Sequence, residues 1–322
     1  MTKTPAGEFV PEPGSGAAGL AEASDATFFG HPRGLSTLFF TEMWERFSYY
    51  GLRAILILFM TASVADGGLR FDVSRAAAIV GVYTAAVYLM ALPGGWVADR
   101  VIGQRRAVLV GGIIIAAGHF SMAIPGLATF YLGLLLIVLG TGLLKPNISA
   151  IVGDLYPEGG SRRDAGFSIF YMGINIGAFT APLVTSFLGE RIDWHLGFAA
   201  AGFGMLLGIA QYMAGRRHLG RAGEVANTVG DVHQPVPVRL IGSSLFVVAV
   251  FIVLLHVTGA ADLGSAVGIA NASGMVLLVI TAVYFGALYT GGGLDAGERR
   301  RLVQIGVLFI FSAIFWAGFE QA

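Results

Sequence analysis

Residues 42–51, EMWERFSYYG, place two carboxylates and a guanidinium inside a segment that otherwise has the apolar character of a membrane-spanning helix. A charge near the centre of a bilayer costs about 2.5–3.5 kcal/mol, so charged residues in a span usually face the protein interior or a water-filled path. At about 100° per residue, the helix separates a polar face from an apolar face that contacts lipid or other helices. The polar face carries Glu42, Glu45, Arg46, Tyr49, Tyr50 and Arg53, and the apolar face carries Met43, Trp44, Phe47, Leu52 and Ala54.

The polar face of this first span favours a proton-linked binding site. Such a site needs carboxylates whose affinity for protons is shifted by a nearby cation or by burial, and this face offers both. The alternative is that Glu42 and Arg46 form an i,i+4 ion pair that only lets the charges enter the membrane together. That pair leaves Glu45, Arg53 and the two adjacent tyrosines unexplained, so the proton-linked site is the preferred interpretation.

The composition predicts an all-α polytopic membrane protein. The 322 residues are 55% hydrophobic and only 12% charged, whereas soluble domains are about 25% charged. A net charge of zero gives no case for nucleic-acid binding. The apolar composition predicts the lipid bilayer as the partner. The lack of cysteine excludes disulfides, thiol catalysis and cysteine-ligated metals.

Nine segments are apolar over about the 20 residues that a membrane span requires. Their approximate bounds are 36–60, 76–98, 107–125, 128–153, 165–188, 196–214, 240–258, 270–290 and 302–322. They predict five regions along the chain. These are a disordered cytoplasmic tail at 1–35, six spans within 36–214, a cytoplasmic linker at 215–238, two spans within 239–291 and one further span within 292–322.

The distribution of Lys and Arg predicts that the N-terminus is cytoplasmic. With that orientation, fourteen of the twenty Lys and Arg residues fall in cytoplasmic segments, three fall outside and three lie within spans. The external residues are Arg70, Arg75 and Arg191. This excess on the inside agrees with the positive-inside rule.

The last span predicts that the chain is truncated. It carries Glu320 and reaches Ala322 without a basic flank or a polar tail. A hydrophobic helix that bears an acid does not usually end a protein in this way. We therefore expect several further spans to be missing.

Lys145 is the only charge in the otherwise apolar fourth span. Pro146 has no N–H, so it frees the carbonyl of Gly142 and permits a kink. A lysine that faces a cavity as a fixed cation for an anionic group is the preferred interpretation. The alternative is a lysine that extends its ammonium to the membrane interface.

Four other polar residues within spans give weaker signals. Asn175 is a lone amide that either binds a ligand or makes a hydrogen bond to another helix. Tyr83 and Tyr88 are weak signals when taken singly, because tyrosine is common near membrane interfaces. His119 is a conceivable proton carrier, but a hydrogen-bonded structural role is favoured.

The stretch GWVADRVIGQRR, residues 95–106, joins the second and third spans on the predicted cytoplasmic side. It combines a sharp turn with one acid and three arginines. Its characteristic residues are Gly95, Asp99, Arg100, Gly103, Arg105 and Arg106. The pattern favours a cytoplasmic gate or a charge clamp between helix ends, and plain anchoring by positive charge is the alternative.

Four motifs together resemble those of the proton-coupled oligopeptide transporter family, within the major facilitator superfamily. Residues 42–51 match its ExxERFxYYG signature, and residues 95–106 resemble the superfamily loop motif GxxxDRxGxRR with one extra residue before Gly103. Residues 170–182 match FYxxINxGxxxxP, and residues 315–321 resemble FWxxxEQ. The resemblance implies a major facilitator fold with a six-helix N-terminal bundle, a two-helix insertion and the first helix of an incomplete C-terminal bundle.

The resemblance also implies roles for individual residues. Glu42, Glu45 and Arg46 would couple proton and substrate binding, and a salt bridge between Arg53 and Glu320 would close the external side. Asn175 would hold the amino end of a peptide. Arg46 and Lys145 would bind the carboxylate of the same peptide. The full predicted substrate site is Arg46, Tyr49, Tyr50, Tyr88, Lys145, Asn175 and Trp316. In the family an acid of the second bundle pairs with the fourth-span lysine, and this chain would lack it.

The predicted function of the parent protein is the import of di- and tripeptides by proton-coupled symport with alternating access. Protons would be the coupling ion and no cofactor would be needed. The protein would act as a monomer in a bacterial-type inner membrane, and the 322-residue chain alone would be inactive. Two alternatives stay open: proton-coupled transport of another small anion such as nitrate, and a non-functional remnant of a transporter gene. An enzyme is disfavoured, because GxSxG, His-x-x-x-His and cysteine nucleophile patterns are lacking.

Overall fold

The computed structural model describes residues 26–224, 265–291 and 293–319. Contacts divide these residues into two units, one that runs to Glu224 and one that begins at Ser265. The first unit contains six long helices, and the second contains two. Short 3-10 turns at Val64–Asp66 and Arg216–Leu219 complete the first unit.

Eight of the nine predicted spans are found as helices. In the first unit they are α1 Arg33–Thr61, α2 Val73–Val97, α3 Gln104–Met122, α4 Leu127–Asp154, α5 Gly160–Arg191 and α6 Trp194–Gly215. In the second unit they are α7 Ala266–Gly291 and α8 Ala296–Phe319. The predicted span 240–258 lies outside the described residues. Helices α2–α8 are long and apolar enough to cross a membrane; α1 has 29 residues, about 43 Å of helix, but carries more charge.

Helix α1 is the central helix of the first unit, because it packs along both α5 and α6. Its apolar face fits against glycines of α6. The ring of Phe47 lies against Gly204, and a Cβ at Gly208 would lie 3.0 Å from the Cβ of Trp44. Leu52 on the same face is fully buried. Of the two expectations for this face, lipid or protein, these side chains contact protein.

Helices α3 and α4 approach each other backbone to backbone at two pairs of glycines. A Cβ at Gly111 would lie 2.6 Å from the carbonyl oxygen of Gly140, and a Cβ at Gly118 would lie 2.8 Å from that of Gly133. Helices in a membrane gain little from hydrophobicity alone, so close contact through small residues supplies much of their association. This explains part of the high glycine content of the chain.

Helix α4 runs from Leu127 to Asp154 without a break, although it contains Pro146. Proline has no N–H to donate to the carbonyl of Gly142, four residues earlier. Gly94 of α2 lies directly against this carbonyl. The freed acceptor therefore lies at a close contact between α2 and α4.

A short antiparallel hairpin precedes α1, with strands β1 Ala26–Phe28 and β2 His31–Pro32. The buried ring of His31 makes a hydrogen bond through Nδ1 to the hydroxyl of Tyr156, between α4 and α5, at 2.9 Å. Burial and the Arg162 guanidinium lower the pKa of His31. Burial raises the pKa of Tyr156 to about 12. A neutral hydrogen-bonded pair thus attaches the hairpin to the α4–α5 connection.

Candidate functional site

Two carboxylates and one guanidinium of α1 form a buried ion-pair cluster. Glu42 is 3% exposed, Glu45 is 1% exposed and Arg46 is 4% exposed. The Nε–H of Arg46 donates to Glu45, and Nε lies 3.2 Å from an oxygen of Glu42. Within the described part of the chain, Oε2 of Glu42 and Nη2 of Arg46 make no hydrogen bond. Because two acids share one cation, this trio reaches neutrality when it binds one proton.

The aromatic residues that follow extend the cluster along α1. The Cζ atom of Arg46 lies 5.0 Å from the ring centroid of Tyr49, and the rings of Tyr49 and Tyr50 meet edge to face with centroids 5.2 Å apart. Arg53 is half-buried and interacts electrostatically with Tyr49. The i,i+4 pair of Glu42 and Arg46 is therefore one contact within a larger cluster.

Helices α2 and α4 bring a second cation towards these acids. The Nζ atom of Lys145 lies 4.5 Å from the ring centroid of Tyr88, which is a cation–π distance. Lys145 is half-buried and interacts electrostatically with Glu42, while Tyr88 is 59% exposed. The ammonium thus faces α2.

Asn175 lies on an exposed face of α5. Its amide Nδ2 donates to the carbonyl of Tyr171 in the preceding turn at 2.9 Å. Among the described residues, the hydrogen bond of this amide lies within its own helix. Tyr171 and Phe179 are 62% and 72% exposed, so Asn175 belongs to a row of exposed side chains.

The predicted site residues of the last span fall in the second unit. Trp316 on α8 is 53% exposed, and its ring meets that of Phe315 edge to face with centroids 5.7 Å apart. Glu320 and Gln321 lie outside the described residues. The salt bridge between Arg53 and Glu320 therefore stays a prediction.

The loop motif forms a π-helical turn, Ala98–Ile102, between α2 and α3. Gly103 follows with φ 80° and ψ 149°, a left-handed φ that favours glycine. Gly95 lies in the last turn of α2. The charged residues of the motif that are exposed are Asp99, Arg100 and Arg106.

Arg105, the remaining arginine of the motif, binds the segment that follows α6. Its guanidinium donates to the carbonyls of Gly220 at 2.5 Å and Ala222 at 2.6 Å, and it lies 3.2 Å from a carboxylate oxygen of Glu224. The N–H of Gly223 donates to Asp154 at the end of α4 at 3.0 Å. The beginning of the predicted linker is thus tied to the ends of α3 and α4, which favours a charge clamp at Arg105.

The sequence did not indicate the location of Tyr83. The side chain is 5% exposed and interacts electrostatically with Tyr49 and Glu45. No sequence signal distinguished it from Tyr88, which lies on the same helix.

The hydrogen-bonded role expected for His119 is confirmed. Its ring is fully buried, and Nε2 lies 2.5 Å from the hydroxyl of Ser48 on α1. This contact lies beside the acid cluster, since Ser48 is three residues after Glu45. In the described ranges, no group of three or more His, Asp or Glu residues could hold a metal ion.

Comparison with known proteins gives one family and several close relatives. The model of the POT family matches residues 105–322. The chain is 44% identical over 296 residues to the uncharacterized transporter YclF of Bacillus subtilis, which covers 91% of this chain and 59% of that protein. It is 42% identical over 305 residues to a di-/tripeptide transporter of Lactococcus lactis, which covers 93% of this chain and 61% of that protein. The chain thus spans about three fifths of the length of these relatives.

Solved structures have the same fold. A crystal structure of a point mutant of the peptide transporter POT in complex with alafosfalin matches with a TM-score of 0.78 at 47% identity, over 94% of this chain and 61% of that one. The predicted major facilitator fold is confirmed. The assignment of α1–α6 to its N-terminal bundle, and of α7 and α8 to the insertion and to the helix after it, stays a prediction.

Proposed function

Because this chain belongs to the POT family, we propose that it carries the proton-binding and peptide-binding residues of a symporter that imports di- and tripeptides. The observation that carries the proposal is the buried trio of Glu42, Glu45 and Arg46, in which two acids share one cation. Burial of an acid in excess of its counter-charge is costly, so a proton or a second cation must complete the site. The names of relatives, one of them a di-/tripeptide transporter, support a peptide as the substrate.

A peptide presents one carboxylate and one ammonium, and the bundle offers partners for the carboxylate. Arg46 has an Nη2 group without a hydrogen bond in the described part of the chain, and Lys145 presents its ammonium over the ring of Tyr88. These two cations would bind the carboxylate, with Tyr50 nearby. Fixed groups that recognise the carboxylate at one end of the backbone and the ammonium at the other select for a short peptide while tolerating different side chains.

The rest of the site would surround the same peptide. The exposed amide of Asn175 would accept the amino end, while Tyr49 and Trp316 would contribute aromatic walls. Glu42 and Glu45 would bind the coupling proton, and Arg53 with Glu320 would close the external side. Alternating access would then couple proton uptake to opening of this gate. We propose no cofactor and no enzymatic activity.

The proposed location is the inner membrane of a bacterial-type cell, with a cytoplasmic N-terminus. Most basic residues of the described first unit lie at the end where α1 begins. They include Arg33, Arg105, Arg106, Arg162, Arg163, Arg216, Arg217 and Arg221. This distribution agrees with the positive-inside rule and supports a cytoplasmic location for the Arg105 clamp. A monomer is the proposed functional state.

The test is uptake of labelled dialanine into proteoliposomes that are acidic outside. It uses the 322-residue chain and, in parallel, the product of the complete reading frame that contains it. The form that imports is then used for all variants below. We expect accumulation that a protonophore abolishes. Unlabelled dipeptide should compete with the labelled peptide, and nitrate should not. Competition by nitrate alone would favour the anion transporter. Absence of uptake by both correctly inserted forms would overturn the proposal.

A further inference from the structure

Tyr83 is a buried tyrosine whose hydroxyl group lacks a partner. The side chain is 5% exposed, near the middle of α2, and the hydroxyl makes no hydrogen bond within the described residues. Burial of an unpaired hydroxyl is unfavourable, because the group loses its hydrogen bonds to water. Phenylalanine would fill the same space without this cost, so packing alone does not explain a tyrosine here.

The surroundings of this hydroxyl are the ion-pair cluster of α1. Tyr83 interacts electrostatically with Glu45 and Arg46, as well as with Tyr49 and Arg53. Oε2 of Glu42 and Nη2 of Arg46 are also buried without a hydrogen bond in the described chain, so three unpaired polar atoms belong to one region.

The buried serine and threonine hydroxyl groups of α1 all make hydrogen bonds. Thr41 donates to the carbonyl of Thr37, Thr37 donates to that of Gly215, and Ser48 is bound to His119. In the described part of the chain, Tyr83 carries the one fully buried hydroxyl that makes no hydrogen bond.

We infer that Tyr83 is a positioning residue for the proton-binding carboxylates, with its hydroxyl as the alternative hydrogen-bond donor to Glu45 when Arg46 turns to the anionic end of the peptide. This inference rests on the proposed function. Arg46 holds Glu45 in the structure, so a peptide that engages the guanidinium weakens the support of this acid. A second donor keeps the carboxylate in place, and the choice between Arg46 and Tyr83 links peptide binding to proton binding.

Other ionisable groups surround this cluster. On the helices packed around α1, Tyr83 of α2 interacts with Glu45, Tyr88 of α2 interacts with Tyr49, and Lys145 of α4 interacts with Glu42. Helix α1 itself adds Glu42, Arg46, Tyr49, Tyr50 and Arg53. His119 on α3 is engaged by Ser48. Helices α5 and α6 carry their ionisable residues near their ends, apart from the exposed Tyr171.

The test compares Tyr83→Phe with Tyr131→Phe, which removes a hydroxyl from a partly exposed tyrosine of α4. Proton-driven uptake of labelled dialanine is measured between about pH 5 and pH 8, together with counterflow at equal pH on both sides. For Tyr83→Phe we expect about tenfold weaker accumulation. We also expect a pH midpoint about half a unit higher, since the carboxylate loses a donor to its ionised form. Counterflow should stay near wild type, thermal stability should not fall, and Tyr131→Phe should resemble wild type throughout.

Unchanged accumulation and an unchanged pH midpoint in Tyr83→Phe, with an active wild type, would overturn this inference and leave the proposed function standing. Equal loss of counterflow and accumulation in a folded variant would also overturn it, because the hydroxyl would then serve peptide binding itself. An inactive wild type would overturn the proposed function, and the inference with it.

Discussion

The ammonium of Lys145 lies 4.5 Å from the centre of the Tyr88 ring, so a cation from α4 is held against α2 inside the bundle. A cation over an aromatic face gains about 0.5–2 kcal/mol, depending on how far it is desolvated. This contact fixes the charge near Glu42 without neutralising it. An aromatic partner leaves the full positive charge available to an anion, which a carboxylate partner would not.

Lys145→Ala should stop concentrative peptide uptake. The variant removes one of the two cations proposed to bind the peptide carboxylate, and loss of a charge-assisted contact in a partly buried site costs at least about tenfold in uptake. The measurement is proton-driven uptake of dialanine. Arg75→Ala is the matched control, since Arg75 also lies over an aromatic ring, that of Phe71, but at the start of α2. Normal uptake by Lys145→Ala would favour a lysine that only anchors the helix.

Glu45→Gln should abolish proton-driven accumulation while leaving some peptide counterflow. The amide keeps the shape of the side chain but no longer binds a proton, so peptide movement is uncoupled from the pH gradient. Uptake with a gradient is compared with counterflow at equal pH. Glu190→Gln, an exposed acid near the end of α5, serves as the control. Accumulation that keeps its dependence on pH in Glu45→Gln would remove this residue from the coupling mechanism.

The helices could be predicted from sequence because hydrophobic length alone determines a membrane span. Their ends were placed less well, since the terminal turns are polar: α5 runs from Gly160 to Arg191, whereas its apolar part predicts 165–188. The first turn of this helix carries Ser161 and two arginines, which hydropathy cannot assign to a helix.

The candidate site could be predicted only where its members share one helix. Glu42, Glu45 and Arg46 lie on one face by the period of α1, and the structure has them in one cluster. Contacts between helices, such as Lys145 with Tyr88, depend on how helices pack, which a single sequence does not contain. For the same reason Tyr83 could not be distinguished from Tyr88, although one is buried and the other is 59% exposed.

Arg105→Ala should release the segment that follows α6. The guanidinium donates to two carbonyls there and pairs with Glu224, and charge-assisted hydrogen bonds are worth about 1.5–3 kcal/mol each. Hydrogen exchange of residues 216–224 should therefore become at least about tenfold faster. Arg106→Ala, the exposed neighbour, should leave this exchange unchanged. Equal exchange in both variants would show that the segment is held by other contacts.

Docking of the N-terminal hairpin should weaken in acid. The pKa of His31 lies below its ordinary value of 6.5 in the folded protein, because of burial and the nearby Arg162. The undocked hairpin therefore binds more protons than the docked hairpin does. The contribution of His31 to docking is fully present above about pH 6.5, and it is lost as the pH falls from that value towards the lowered pKa of His31. Hydrogen exchange of residues 26–32, corrected for its intrinsic dependence on pH, should rise on acidification.

Two variants separate this effect from general loosening of the protein. His31→Gln should lose the dependence on pH, since glutamine does not titrate. Tyr156→Phe removes the hydroxyl partner and should speed exchange at neutral pH as well. Wild-type protection that is the same at about pH 5.5 and pH 7.5 would contradict a role for His31 protonation.

Gly111→Ala should destabilise the six-helix bundle more than Gly81→Ala does. A Cβ at Gly111 would lie 2.6 Å from the carbonyl oxygen of Gly140 and 2.9 Å from the backbone nitrogen of Leu144, so α3 and α4 must separate to accept it. Overpacking of this kind costs about 1–3 kcal/mol. A Cβ at Gly81 on α2 would meet no atom within 4 Å, and alanine there should raise helix stability slightly. Thermal unfolding of the purified protein in detergent measures both. Equal unfolding temperatures would mean that α3 and α4 move apart at little cost, and that their contact through glycine is not what holds this half of the bundle together.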